Sequence, residues 1–88
     1  MKGSVDEALK KQLKQLIATE SDRGIDPDTI GDDDALFGEE SPIQLDSLDL
    51  LQISMAVYKA YGIKITDANQ ARRAFATVNC LADEIQPA

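Results

Sequence analysis

Apolar residues near the start of the chain recur at steps of three and four, with lysines between them. This spacing predicts an amphipathic helix over residues 5–20. Its apolar positions are Val5, Leu9, Leu13, Leu16 and Ile17. Ser4 precedes the helix and Glu7 stands three places later, so the start also matches a capping box with Ser4 as the N-cap.

The regular spacing stops between residues 21 and 45, where glycines and prolines interrupt the chain. A structureless connection of about 25 residues is unusual in a compact domain and indicates either function or disorder. Six apolar residues favour an ordered loop attached to the core, since a disordered linker does not need them. They are Ile25, Ile30, Leu36, Phe37, Ile43 and Leu45. We predict one short helical turn near residues 33–37.

The densest apolar run predicts a second helix over residues 47–61, ended by Gly62, which readily takes the left-handed conformation. Its apolar residues form two adjoining stripes, so we expect this helix to be the central one. One stripe contains Leu48, Leu51, Met55 and Tyr58, and the other contains Leu50, Ile53, Val57 and Tyr61.

Two shorter helices follow. Thr66 or Asp67 can cap a helix that extends to Phe75, and Thr77 can cap a last helix that ends before Pro87. The last helix has apolar residues at Val78, Leu81, Ala82 and Ile85. Four helices with one long ordered loop between the first two predict an all-α fold, a small four-helix bundle.

Length and composition agree with a small helical protein. The chain has 88 residues, enough for only one hydrophobic core, so we expect a single domain over residues 1–88. Its charged N-terminus lacks the apolar stretch of a secretory signal, and no segment has the roughly 18 consecutive apolar residues of a membrane span. We therefore expect a soluble, cytoplasmic protein.

The net charge of -7 is unevenly distributed. Eleven of the sixteen acids lie within residues 20–49, where Arg23 is the only base. Nucleic acid would be repelled by this segment, because proteins bind it mainly through cationic side chains. Protein partners with basic docking surfaces would be attracted.

The sequence gives little support for a disulfide or a metal site. Cys80 is the only cysteine and histidine is absent, so neither an internal disulfide nor a cysteine–histidine metal site is expected. Cys80 is interpreted as a small core residue of the last helix. The loop aspartates suggest calcium, but with Asp26 at position 1 of an EF-hand, Ile30 and Phe37 occupy positions that need oxygen ligands. Weak divalent binding by the loop stays open.

Ser47 lies between two aspartates where the second helix begins. With Asp46 as the N-cap, Asp49 takes the third helical position, so both carboxylates can accept unpaired backbone N–H groups. Nothing in this arrangement requires the Ser47 hydroxyl, which should point to solvent. Without histidine or a G-x-S-x-G elbow, nucleophilic catalysis by Ser47 is disfavoured. Modification by another protein fits better, because a phosphodiester at a helix N-terminus faces unpaired N–H groups.

Residues 45–49, LDSLD, with Leu51 and Ile53 after them, resemble the attachment signature of acyl carrier proteins. In that family the serine of Asp-Ser-Leu receives 4′-phosphopantetheine from coenzyme A. The upstream helix, the acidic loop, the exit of the second helix and the last helix are also similar, so the resemblance covers residues 5–85. It implies a four-helix bundle of the acyl-carrier type that acts as a stand-alone carrier and is not an enzyme.

The resemblance implies roles for five residues. Ser47 would bear the phosphopantetheine arm, and Asp46 would assist its attachment. Leu48, Asp49 and Met55 would lie on the helix that docks to partners. These partners would be a phosphopantetheinyl transferase, a ketosynthase and other acyl-processing enzymes or acyl ligases, served by a monomeric carrier. The cargo would be an acyl thioester in fatty acid, polyketide-like or other specialised lipid biosynthesis, with apolar residues of helices 2 to 4 either sheltering it or simply forming the core.

Several positions depart from the family pattern. Leu45 stands where many members have glycine, and Gln52, Tyr58 and Lys59 stand where fatty-acid carriers usually have acids. A carrier for a specialised pathway is therefore at least as well supported as the housekeeping fatty-acid carrier. A peptidyl carrier is less favoured, since such domains have Gly-Gly where this chain has Gln44 and Leu45. An acidic helical interaction module that is never modified is the alternative from another class.

Overall fold

Local capping signals account for where the four helices form. The computed structural model describes residues 2–21, 24–37, 41, 44–65 and 67–87, and within them it contains four α-helices and no strand. The helices are α1 (Glu7–Ser21), α2 (Ser47–Tyr61), α3 (Ala68–Ala74) and α4 (Val78–Ile85). Two short 3-10 helices span Gly3–Val5 and Pro27–Thr29. The predicted all-α fold of four helices is confirmed.

The start of α1 differs from the prediction, because Asp6 caps the helix and Ser4 does not. Asp6 Oδ1 accepts a hydrogen bond from the Leu9 N–H at 3.2 Å. Ser4 lies in the preceding 3-10 helix, and its N–H donates to Asp83 Oδ1 of α4 at 2.9 Å. The predicted capping box is wrong because this 3-10 helix packs on α4 and leaves Asp6 nearest to the first turn of α1.

The other helix ends follow the predicted signals. Gly62 ends α2 in the left-handed conformation, with φ of 72°. Asp67 Oδ1 accepts the Gln70 N–H at 2.7 Å and caps α3. Thr77 Oγ1 accepts the Cys80 N–H at 3.1 Å and caps α4. Capping thus acts at both short helices, where few residues are available to stabilise a turn.

The core lies between the helices and the described part of the loop. Its largest fully buried side chains are Phe75, Leu13, Ile17, Leu36, Ile53, Leu81, Val57 and Val78. Only one of the two apolar stripes of α2 contributes to it, through Ile53 and Val57. The other stripe is exposed, so the expectation of a central α2 holds for one face only.

Cys80 is exposed, so its predicted place in the core is wrong. The buried face of α4 contains Val78, Leu81 and Ala82. Cys80 stands two positions after Val78, about 200° around a helix of 3.6 residues per turn, and therefore lies on the opposite side.

The described part of the long loop is packed on the core, as predicted. Ile30, Leu36 and Leu45 are buried. The Leu36 N–H donates to the Ala76 carbonyl at 3.2 Å, and the Leu45 N–H donates to the Leu36 carbonyl at 3.1 Å. Two predicted residues lie outside the described part of the chain. They are Ile43, one of the six loop anchors, and Thr66, the alternative cap of α3.

The helical turn of the loop forms earlier than predicted. It spans Pro27–Thr29 rather than residues 33–37. Asp26 caps it by accepting the Asp28 N–H at 3.0 Å, and proline at the first position supplies a suitable φ. Residues 33–37 have no N-cap followed by proline, and Phe37 instead forms a parallel bridge with Leu45.

Asp32 attaches the loop to α1 through two lysines. Lys10 Nζ lies 2.9 Å from Asp32 Oδ2, and Lys14 Nζ lies 2.7 Å from Asp32 Oδ1. These hydrogen bonds, first to Lys14 and then to Lys10, lower the pKa of Asp32. The hydrogen bond to Asp32 in turn raises the pKa of Lys10, whose side chain is only 6% exposed. The Asp32 carbonyl also accepts the Asn79 N–H of α4 at 3.1 Å, so one residue ties the loop to two helices.

Candidate functional site

Ser47 is the first residue of α2 and is exposed to solvent. Asp46 Oδ1 accepts the Asp49 N–H at 3.0 Å, and Asp49 Oδ2 accepts the Asp46 N–H at 3.1 Å. This reciprocal capping box confirms Asp46 as the N-cap and Asp49 as the third helical residue. The two aspartates hold the first turn of α2, and the serine between them stays accessible.

The segment before Ser47 is fixed to the core. Leu45, which stands where many carriers have glycine, is buried. Gln44 takes a left-handed conformation with φ of 49°, and its N–H donates to Oγ of the buried Ser41 at 2.9 Å. Left-handed backbone is uncommon for a residue other than glycine, and no sequence signal predicted it at Gln44. The chain therefore enters α2 in a defined direction, which sets where Ser47 points.

A cleft of about 610 Å³ opens beside Ser47, between the loop, α2 and α3. Its apolar lining consists of Phe37, Leu45, Leu50, Leu51, Ile65, Ala71 and Phe75. Its polar lining consists of Asp46, Ser47, Ser54, Asp67 and Arg72. Sequence reasoning could not separate cleft residues from core residues, because both sets share the same helical spacing. It also missed Arg72, for which the sequence offered no signal beyond a charge.

Exposed residues of α2, together with Glu20 at the end of α1, line a second groove of about 620 Å³, the outer groove of α2. Leu48 and Met55, both predicted to contact partners, lie there beside Leu51. They are 62% and 54% exposed, respectively, and with Leu51 they form an exposed apolar patch, a feature that often marks an interaction surface. Asp49, the third predicted partner residue, is half-buried in the first turn and takes part in the capping box.

Three consecutive acids of the loop already have protein partners. Asp32 pairs with the two lysines of α1. Asp33 Oδ1 accepts the Asn79 amide N–H at 2.7 Å, and Asp34 Oδ2 accepts the Gly31 N–H at 3.1 Å. Within residues 2–21, 24–37, 41, 44–65 and 67–87, no group of three or more acidic or cysteine side chains is arranged to hold a metal ion. Likewise, none of the helices in these ranges has the length and apolarity to cross a membrane.

Comparison with known families identifies the class of protein. A family model described as the phosphopantetheine attachment site matches residues 11–85. The chain belongs to this family. Its members are carriers that hold 4′-phosphopantetheine covalently on a serine. No curated protein and no solved structure matches the chain.

The geometry of the α2 start suits this phosphopantetheine carrier. The cofactor needs a hydroxyl that a transferase can reach, and Ser47 is exposed on the first turn of a helix. The cofactor arm also needs a path across the surface, and Ser47 opens onto a largely apolar cleft. The family match confirms the resemblance to acyl carrier proteins and the cofactor expected from the sequence. The structure confirms the expected small four-helix fold.

Proposed function

We propose that the chain is a stand-alone acyl carrier protein with a single carrier domain, and that Ser47 bears its phosphopantetheine. The observation that carries this proposal is the exposure of Ser47 at the mouth of the cleft, within an otherwise fixed helix start. The Ser47 Oγ would bond to the phosphorus next to pantetheine in coenzyme A. The pyrophosphate P–O bond would break, adenosine 3′,5′-bisphosphate would leave, and the hydroxyl proton would pass to the transferase or to solvent.

Asp46 is proposed to assist this transfer. Its backbone and side chain fix the first turn of α2, so its exposed carboxylate stands directly beside Ser47. A magnesium ion that a transferase binds together with coenzyme A takes carboxylate ligands readily. Asp46 would therefore serve both the fold and the modification.

The cargo is proposed to be an acyl chain held as a thioester on the arm. Seven of the twelve residues that line the cleft are apolar, among them Phe37, Leu50 and Ile65, which are only partly buried and so present surface to a ligand. An apolar chain gains free energy by covering such surface, whereas an aminoacyl or peptidyl group would bring polar atoms into it. The lining therefore favours acyl over peptidyl cargo.

The outer groove of α2 is proposed as the docking surface for a phosphopantetheinyl transferase, a ketosynthase and other acyl-processing enzymes or ligases. Leu48 and Met55 would supply its apolar contacts, and Asp49 would add charge near Ser47. Gln52 and Lys59 make this surface less acidic than that of a usual fatty-acid carrier, so a specialised lipid pathway is at least as well supported as fatty-acid synthesis. The carrier itself would perform no catalysis.

Incubation of the apo protein with coenzyme A and a broad-specificity phosphopantetheinyl transferase tests the attachment site. Intact mass should increase by one phosphopantetheine group in the wild type and should not change in Ser47→Ala. Ser54→Ala is the matched control, because Ser54 lines the same cleft and should leave the gain intact. A wild type that gains no mass would favour the unmodified interaction module, and a gain that persists in Ser47→Ala would move the site elsewhere.

A further inference from the structure

Among the residues that the structure describes, Arg72 is the only cation that lines the cleft beside Ser47. It lies in the last turn of α3, directly after Ala71 on the cleft wall, and is exposed. In the described part of the chain the ion pairs are formed by Lys10 and Lys14, and no acid pairs with Arg72. Arg73, the next residue, is also exposed but does not line the cleft.

The charges around the cleft make this position notable. Asp46 and Asp67 are its other charged lining residues, and both are helix caps fixed by hydrogen bonds to backbone N–H groups. A phosphodiester on Ser47 would add a further negative charge to this rim, in a chain of net charge -7. Among the described lining residues, Arg72 alone carries a positive charge that can offset it. A guanidinium also presents several N–H donors in a planar array that matches phosphate oxygens.

We propose, building on the attachment to Ser47 argued above, that Arg72 is a positioning residue that pairs with the phosphodiester of the arm. This pairing directs the arm along the cleft between α2 and α3. Cations in the last turn of a helix are favoured by its dipole, but that effect applies equally to Arg72 and Arg73. Only the position of Arg72 in the cleft distinguishes it from its neighbour.

Phosphorus NMR of the holo protein tests the pairing directly. The ³¹P resonance of the wild type should shift as sodium chloride is added, because salt screens the ion pair. Arg72→Gln should show the high-salt position from the start and lose this shift. Arg73→Gln should titrate like the wild type, although it removes the same charge from the same helix. Arg72→Lys should keep part of the shift, since a lysine retains the charge but not the planar array of donors.

A second measurement compares the unfolding midpoints of the holo and apo forms. The holo form should gain stability over the apo form in the wild type and in Arg73→Gln, and this gain should disappear in Arg72→Gln. The inference is overturned if Arg72→Gln keeps the salt-dependent ³¹P shift of the wild type, or if Arg73→Gln loses it as well. Mass spectrometry separates the two proposals: an unmodified wild type refutes attachment and pairing together, whereas normal modification with an unchanged Arg72→Gln resonance refutes the pairing alone.

Discussion

Truncation to alanine should lower the stability of the protein strongly on one face of α2 and hardly at all on the other. Ile53 is 0% exposed and Leu48, an isomeric side chain on the same helix, is 62% exposed. Replacement of Ile53 by alanine deletes three buried carbons, which at about 0.8 kcal/mol each amounts to about 2.4 kcal/mol of transfer free energy. The residual cavity adds to this loss and helix propensity returns a few tenths, so we expect about 3 kcal/mol in total. Leu48→Ala should change the unfolding free energy by no more than about 0.5 kcal/mol.

Urea denaturation of the apo proteins, followed by far-UV circular dichroism, measures both values. For a domain of this size, a loss of about 3 kcal/mol corresponds to a decrease in Tm of about 12 to 24 °C. Leu48→Ala should instead slow modification by the transferase, because its side chain is proposed to contact that enzyme. Similar losses of stability in the two variants would refute the assignment of one buried and one exposed face, as would a stable Ile53→Ala.

Three further predictions concern the loop and the helix starts. Asp46→Ala should lower the unfolding free energy by about 1 kcal/mol and Asp46→Asn by less, since asparagine still caps; equal losses in urea denaturation would contradict the capping role. Lys14 and Lys10 lower the pKa of Asp32 below its ordinary value of 3.8. The ionised carboxylate therefore stabilises the folded state fully above pH 3.8, and this stabilisation is lost as the pH falls through the lowered pKa. Asp32→Asn should therefore be less stable than the wild type at neutral pH, and the difference should narrow in acid; a pH-independent difference would argue against the ion pairs. Gly3→Ala should cost about 1 to 3 kcal/mol, because an added Cβ would overlap a backbone carbonyl of α4; an unchanged melting temperature would show that this contact is not tight.

The sequence by itself determined the features that depend on neighbouring residues. The bounds of α2, its cap at Asp46 and its end at Gly62 were all predicted, because each signal acts within one helical turn. The same holds for the cap Thr77, whereas Asp67 was one of two caps that the sequence allowed for α3. The motif around Ser47, together with the helices and the acidic loop over residues 5–85, also identified the family.

Only the tertiary structure decided which apolar and polar groups other elements cover. Leu48 and Ile53 lie on two apolar stripes of α2 that look alike in the sequence, and only the packing against other elements shows that one is exposed and the other buried. Likewise, Ser4 contacts α4 through Asp83 and does not cap α1, which is capped by Asp6. Only the tertiary structure brings Arg72 of α3 and Ser47 of α2 into the lining of the same cleft. Such contacts join residues far apart in the chain, so periodicity and capping signals, which extend over only a few residues, do not encode them.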